Sequence, residues 1–335
     1  MKRGWMLGLA ATLLGVAASA ARAQRPFTWT GGVAGGGWDV ISTGVAALLR
    51  EKADLDVRVI PGGGAQNPVL VDRGDVEIGL GLPPLLAAAT SGEEPYRGKQ
   101  MGSLRALAGN MSLNVLHFYV GADSPYARMT LEEILRGKKP IRLAIPKPGT
   151  ADVWILEKMM EFYGLCAPGK AVDCYKSWET AGAKLVRGSY AEQAEAYKAR
   201  KVDGVFAILA LPAAAVVDAA AGRALTLLAS PEALVDHLAT ARLGRGVIRA
   251  GTYPRAVNGG DDVLTATMGT TIIVSAGMSE AVAYTITKTI NDNADRFRAL
   301  HASLADYDPS RGWLQLGVAL HPGAERYYRE MGWLR

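Results

Sequence analysis

The sequence predicts an α/β protein of two lobes, each a mixed, mainly parallel sheet flanked by helices. Three observations lead there. From Phe27 to Ala89 the chain alternates β-type and helical patterns, which implies parallel strands joined by crossover helices. A second alternation of the same kind occupies roughly residues 122–240. Two long β-type runs, Val115 to Val120 and Thr270 to Ser275, bracket that second unit and read as two strands crossing between the lobes. The chain leaves one lobe, builds the other and returns. Residues 24–121 plus 241–335 then form the first lobe and residues 122–240 the second.

Phe27 to Thr30 reads as the first strand. A glycine-rich turn follows, and Val40, Ile41, Gly44, Val45, Leu48 and Leu49 then keep a helical period. Asp56 to Ile60 is the second strand. Asn67 is a suitable N-cap with Pro68 at the first helical position, and Gly74 is a suitable stop. Val76 to Leu80 alternates like a strand, and Pro83 or Pro84 opens a helix through Leu85 to Ala89. After the run at 115–120, Thr130-Leu131-Glu132-Glu133 is a capping box. Arg142 to Ile145 is a strand, with Thr150 placed to cap the next helix. Asp203 to Ile208 is another strand, and Pro212 starts a helix through Ala220. Ser279 caps a helix running to about Asn293, and the tail turns helical from His321.

The start of the chain has the marks of an export leader. Lys2 and Arg3 precede an apolar run from Trp5 to Ala20, and Ala21-Arg22-Ala23 is a small-x-small cleavage site. The segment 1–23 is expected to be removed, leaving Gln24 first in a soluble periplasmic protein. That removal takes the formal charge from +5 to +2, because Lys2, Arg3 and Arg22 go with it. The basicity is partly an export device, and no clustered basic face points to nucleic acid. Cys166 and Cys174 lie in one turn-rich segment and, in an oxidising compartment, either close a small disulfide loop or stand as two thiols.

Three glycine-marked turns sit where a strand hands over to a helix. They are Gly31 to Asp39, Pro61 to Pro68, and Pro146 to Asp152. Such turns gather backbone N–H groups at a helix N-terminus and suit an anion. The first is neither a dinucleotide fingerprint nor a P-loop, because its glycines miss G-x-G-x-x-G and Trp38 stands where a lysine is needed. Trp38 is placed to stack on a ligand and Asp39 to face one. In the second turn Gly64 and Gln66 line the site beside Asn67. In the third, Lys147 offers a cation, Thr150 a hydroxyl and Asp152 a charge that suits the helix dipole. The histidines at 117, 237, 301 and 321 are scattered, with no H-E-x-x-H zinc motif and no G-x-S-x-G elbow. A binding protein without cofactor or metal is expected, not an enzyme.

With these pieces in place the chain resembles the TAXI family of solute receptors that serve TRAP transporters. The tail His321-Pro322-Gly323-Ala324-Glu325-Arg326-Tyr327-Tyr328-Arg329-Glu330-Met331-Gly332 carries the resemblance most specifically. Thr252-Tyr253-Pro254, the helix with Tyr284, Ile286, Thr287 and Lys288, and Asn67, Gly74, Lys201 to Gly204 and Pro212 add to it. The resemblance implies a type II periplasmic-binding-protein fold. Its two lobes close on a small-molecule solute, and the closed monomer docks on TRAP membrane subunits. It implies cleft positions at Gly37, Trp38, Gly64, Gln66, Asn67, Gly149, Thr150 and Pro212. The family's ligands include small carboxylates and acidic amino acids. This chain departs at Trp38-Asp39, where two aromatics are common, and at Gly64 and Pro148, where serine is common. A role in an ABC or tricarboxylate uptake system, or as a periplasmic sensor, is the alternative.

Overall fold

The computed structural model describes residues 26–34 and 36–335, so the expected leader lies outside the described residues. The chain opens with β1 (Phe27–Thr30), α1 (Gly37–Ala53), β2 (Val57–Ile60), α2 (Asn67–Asp72), β3 (Ile78–Gly81), α3 (Pro83–Ser91) and β4 (Leu104–Ala108). It continues through β5 (Asn114–Gly121), α4 (Leu131–Arg136), β6 (Arg142–Ile145), α5 (Ala151–Phe162), α6 (Ala171–Thr180) and β7 (Lys184–Arg187). Next come α7 (Tyr190–Lys198), β8 (Gly204–Ala210), α8 (Ala214–Gly222), β9 (Leu225–Leu227), α9 (Glu232–Thr240), β10 (Gly244–Ile248) and β11 (Val263–Met268). The last elements are β12 (Thr271–Ser275), α10 (Glu280–Asp292), α11 (Ala294–Arg298) and α12 (Pro322–Glu330).

These elements form two sheets. The first runs β2-β1-β3-β12-β4, and the second runs β10-β11-β5-β8-β6-β7 with β9 beside β5. β1 pairs in parallel with β2 and β3, while β12 lies antiparallel between β3 and β4. In the second sheet β6 is parallel to β7 and β8, and β5 is antiparallel to β8, β9 and β11. Two passages join the sheets: β4 leads through residues 109–113 into β5, and β11 leads through Gly269-Thr270 into β12. Each passage thus delivers an antiparallel strand into the sheet it enters.

The expected return to the first lobe at residue 241 is displaced. β10 and β11 hydrogen-bond within the second sheet, with Thr267 opposite Val115 and Met268 opposite Asn114. The chain re-enters the first sheet only at β12. A Gly-Arg-Gly start makes β10 a weak strand in sequence, and pairing with β11 overrides that weakness.

The core follows the patterns that predict it. α1 buries Ile41, Val45, Leu48 and Leu49 on one face and ends at Asp54, whose left-handed backbone returns its N–H to the Leu49 carbonyl. β5 and β8 are buried along their full length, as befits central strands covered on both faces. Cys166, in the loop after α5, is joined to Cys174 in α6, their Cα atoms 4.7 Å apart. Among the described residues no helix is long and apolar enough to cross a membrane.

Candidate functional site

The three glycine turns meet between the two sheets. The first two end strands of the first sheet and the third ends β6 of the second. Ligand sites in open α/β sheets lie outside the carboxyl ends of the strands, which is where these turns sit.

Asn67 locks the first two turns together. Its Oδ1 accepts from the Gly63 N–H (2.9 Å) and the Thr30 hydroxyl (2.8 Å), and its Nδ2 donates to the carbonyls of Gly31 and Leu80, both at 2.8 Å. It is fully buried with its hydrogen-bonding capacity used. It therefore clamps β1, the second turn and β3; it does not cap α2, and it does not line the cavity where the turns converge. Gly62 is required beside it: a Cβ there would lie 2.2 Å from the Thr30 hydroxyl and 2.3 Å from Asn67 Oδ1. Gly149 in the third turn has φ +91°, a conformation that glycine alone adopts freely. Its carbonyl accepts a hydrogen bond of 3.1 Å from the Gln66 N–H, joining the second and third turns across the gap.

A cavity lies where the turns converge. Gly32, Val33, Gly36, Gly37, Trp38, Gly63, Gly64 and Leu82 line it from the first lobe. Asn114, Thr150, Ala151, Asp152, Tyr190 and Ile208 to Ala210 line it from the second. The free space is about 40 Å³, room for only a few water-sized groups, so the lobes are closed on it. The N-termini of α1 and α5 both open onto it. Neither helix has a side-chain cap: the residue before α1 is Gly36, and the Thr150 hydroxyl donates to the Lys147 carbonyl instead (3.1 Å). The first N–H groups of a helix have no partner within it, so both ends face the cavity as donors. In contrast, α7 is closed by its own capping box, with Ser189 and Glu192 bonding reciprocally.

Of the residues expected at the site, Gly37, Trp38, Gly64 and Thr150 line the cavity. Asp39 is half-buried one residue further along α1 and does not line it. Gln66 and Pro212 are exposed, and Lys147 is exposed on the solvent side near Glu192. Gly149 takes part through its carbonyl alone. Trp38 does not stack freely: its indole N–H donates to the Thr270 hydroxyl (3.1 Å). Asn114 Nδ2 (2.8 Å) and the Ser112 hydroxyl (2.9 Å) share that Thr270 oxygen, so the cavity wall is tied to both passages between the sheets.

Among the described residues the carboxylate that lines the cavity is that of Asp152. Its carboxylate accepts from the Ile208 N–H (2.5 Å) and from the Tyr190 hydroxyl (3.1 and 3.2 Å). Burial outweighs these bonds and pushes its pKa up to about 6. Burial and the adjacent Asp152 charge raise the Tyr190 phenol well above its ordinary value. Behind the end of β8, His117 Nδ1 meets the Val115 carbonyl (3.0 Å), so Nδ1 carries the proton and Nε2 accepts from the Tyr253 hydroxyl (2.8 Å). The Tyr253 oxygen in turn receives the Ala213 N–H (2.9 Å), fixing the turn that follows Ala210. Burial holds His117 neutral, its pKa lowered to about 4.

Tyr190, Asn114 and Ile208 to Ala210 are absent from the sequence expectations. The signal for the last of these was present, since they end a strand that the sequence shows. Among the described residues no cluster of His, Cys, Asp and Glu could hold a metal ion.

The fold is found in solved structures. MatC (Rpa3494) from Rhodopseudomonas palustris, with bound malate, aligns over 92% of this chain and 99% of its own at 12% identity, with a TM-score of 0.55. Iron-bound HitA from Pseudomonas aeruginosa aligns over 92% of this chain and 97% of its own at 11% identity, with a TM-score of 0.50. At such identities the likeness speaks for the fold, that of the type II periplasmic binding proteins. A family model described as NMT1-like family matches residues 30–332. That match takes in both sheets save most of β1, both passages and all three turns, and the chain belongs to the NMT1-like family.

Proposed function

We propose that the chain is an extracytoplasmic solute receptor, of the TAXI kind, that captures a small organic anion or amino acid and delivers it to a TRAP transporter. One observation carries this reading: the uncapped N-termini of α1 and α5, from opposite lobes, open onto one small cavity. An anion between them is held by both lobes only when the cleft is closed. A ligand shifts a two-state protein by its differential affinity for the two states, so such an anion favours closure. The segments 109–113 and 269–270 are the hinge, and no covalent chemistry is involved.

The test is thermal unfolding of the mature protein against a panel of organic acids and amino acids. A ligand bound by the folded form alone raises the midpoint by mass action. The expected result is a rise with a small carboxylate-bearing compound, and the same compound found by mass spectrometry on the purified protein. No shift across the panel, with nothing carried through purification, removes the receptor reading. Loss of uptake of that compound on deletion separates a receptor from a sensor.

A further inference from the structure

The donors of the cleft come from helix ends, but its second-lobe wall also presents acceptors. Asn114 opens β5 and is only 5% exposed. Its Nδ2 donates to the Thr270 hydroxyl at 2.8 Å and approaches the Met268 carbonyl at 3.5 Å, which orients the amide. Asn114 Oδ1 has no partner among the described residues, and Asn114 lines the cavity. Asp152 lines the same wall, anchored by Ile208 and Tyr190. Among the described residues no lysine or arginine lines the cavity.

Charge balance follows. Each helix N-terminus is equivalent to about half a positive charge, so the two together offset about one negative charge. They already face one, on Asp152. One ligand carboxylate placed between the helix ends is tolerated, because the Asp152 charge is already shared among the Ile208 N–H, its own N–H and the hydroxyls of Tyr190 and Thr150. A second carboxylate in so small a space meets no cation and lies beside Asp152 and the Asn114 oxygen. A donor at that position instead satisfies an oxygen that the protein leaves unpaired.

We infer that Asp152 and Asn114 set the specificity of the cleft: it admits a small ligand with one carboxylate and an ammonium or hydroxyl donor, and rejects dicarboxylates. This rests on the receptor reading and narrows it. The single carboxylate sits at the ends of α1 and α5, and its donor faces Asn114 Oδ1. The site is thus suited to a short zwitterion or hydroxy-monocarboxylate.

Calorimetric titration of the mature protein with alanine, lactate, propionate, succinate and malate tests it. Alanine or lactate is expected to bind. Propionate, which lacks the donor, should bind at least about tenfold more weakly. Succinate and malate should be weaker by on the order of a hundredfold, the scale of two like charges a few ångströms apart in a partly buried site. Asp152→Asn, checked for folding by circular dichroism, should narrow the gap between lactate and succinate. Wild-type protein that binds succinate or malate as tightly as lactate overturns the inference while leaving the receptor reading intact. So does a dicarboxylate found on the purified protein. The wild-type panel decides the matter even if the variant does not fold. If none of these probes binds but another solute is carried through purification, this specificity falls and the receptor reading stands.

Discussion

Asn67 shows how much one side chain holds at this site. Replacing it with alanine leaves the Gly63 N–H, the Thr30 hydroxyl and the carbonyls of Gly31 and Leu80 short of a partner in a buried place. Each such loss costs about 1–3 kcal/mol, so Asn67→Ala should lower stability by roughly 3 kcal/mol or more. Chemical denaturation measures it, and a cost under about 1 kcal/mol would rule out the clamp. The sequence shows Asn67 as a cap and, by resemblance, as a cleft residue, but not as a clamp, because its partners come from two strands and a turn that chain-local patterns do not connect. Asp152 is hidden the same way, since its bonds reach 38 and 56 residues along the chain. A second residue-scale expectation concerns pH. His117 is neutral in the fold, with its pKa lowered from 6.5 to about 4. Its contribution is therefore intact above about 6.5 and is lost as pH falls toward 4, about 3 kcal/mol in all. Asp152 has its pKa raised from 3.8 to about 6, so its burial cost is absent below 3.8 and grows as pH rises through 6, again by about 3 kcal/mol. The two offset each other in wild-type protein. Asp152→Asn should therefore lose more stability on acidification than His117→Asn does, and their difference cancels the other titrating groups. Equal pH slopes for both variants would refute the two protonation states.

At the scale of elements, helix starts divide by task. α4, α7 and α10 are closed by Thr130, Ser189 and Ser279, each accepting a backbone N–H in the first turn. α1 and α5 are left open where the cavity lies. Ser189→Ala should cost about 1 kcal/mol of stability, the usual value of a side-chain cap. Thr150→Ala should cost less than Ser189→Ala, since its hydroxyl caps nothing, yet it should weaken ligand binding while Ser189→Ala does not. Thermal unfolding with and without ligand compares them, and the reverse ranking counts against an open α5. The Thr130 capping box and the strand-to-helix handovers were readable because their residues are neighbours in sequence; the Ser189 box, equally local, was missed. β4, β7, β9, β10 and β11 were not readable, being short or mixed in composition. β4 reads Leu-Arg-Ala-Leu-Ala, a pattern that a helix fits equally well, and only pairing with β12 decides it.

For the whole molecule, the closeness of the lobes is itself testable. A Cβ on Gly63 would stand 2.8 Å from the Gly149 carbonyl oxygen in the other lobe. Gly63→Ala should wedge the cleft, leave the open form folded, enlarge the radius of gyration in solution scattering and weaken ligand by at least about tenfold. Unchanged dimensions and affinity would show that this contact does not limit closure. The two-lobed plan was legible because strand and helix periods survive in the sequence, whereas the boundary near residue 241 was not, since sheet membership depends on partners far away. That sheet membership has a last consequence, for the order in which the molecule assembles. The second sheet is built from one unbroken stretch, residues 114–268. The first has β12 in its interior, between β3 and β4, so its amino-terminal strands wait for a segment synthesised after the whole second sheet. The lobe that begins the chain is thus the later one to complete. Until β12 arrives, β3 and β4 carry unpaired edges, which makes the newly made chain most open to misassembly in the lobe it finishes last.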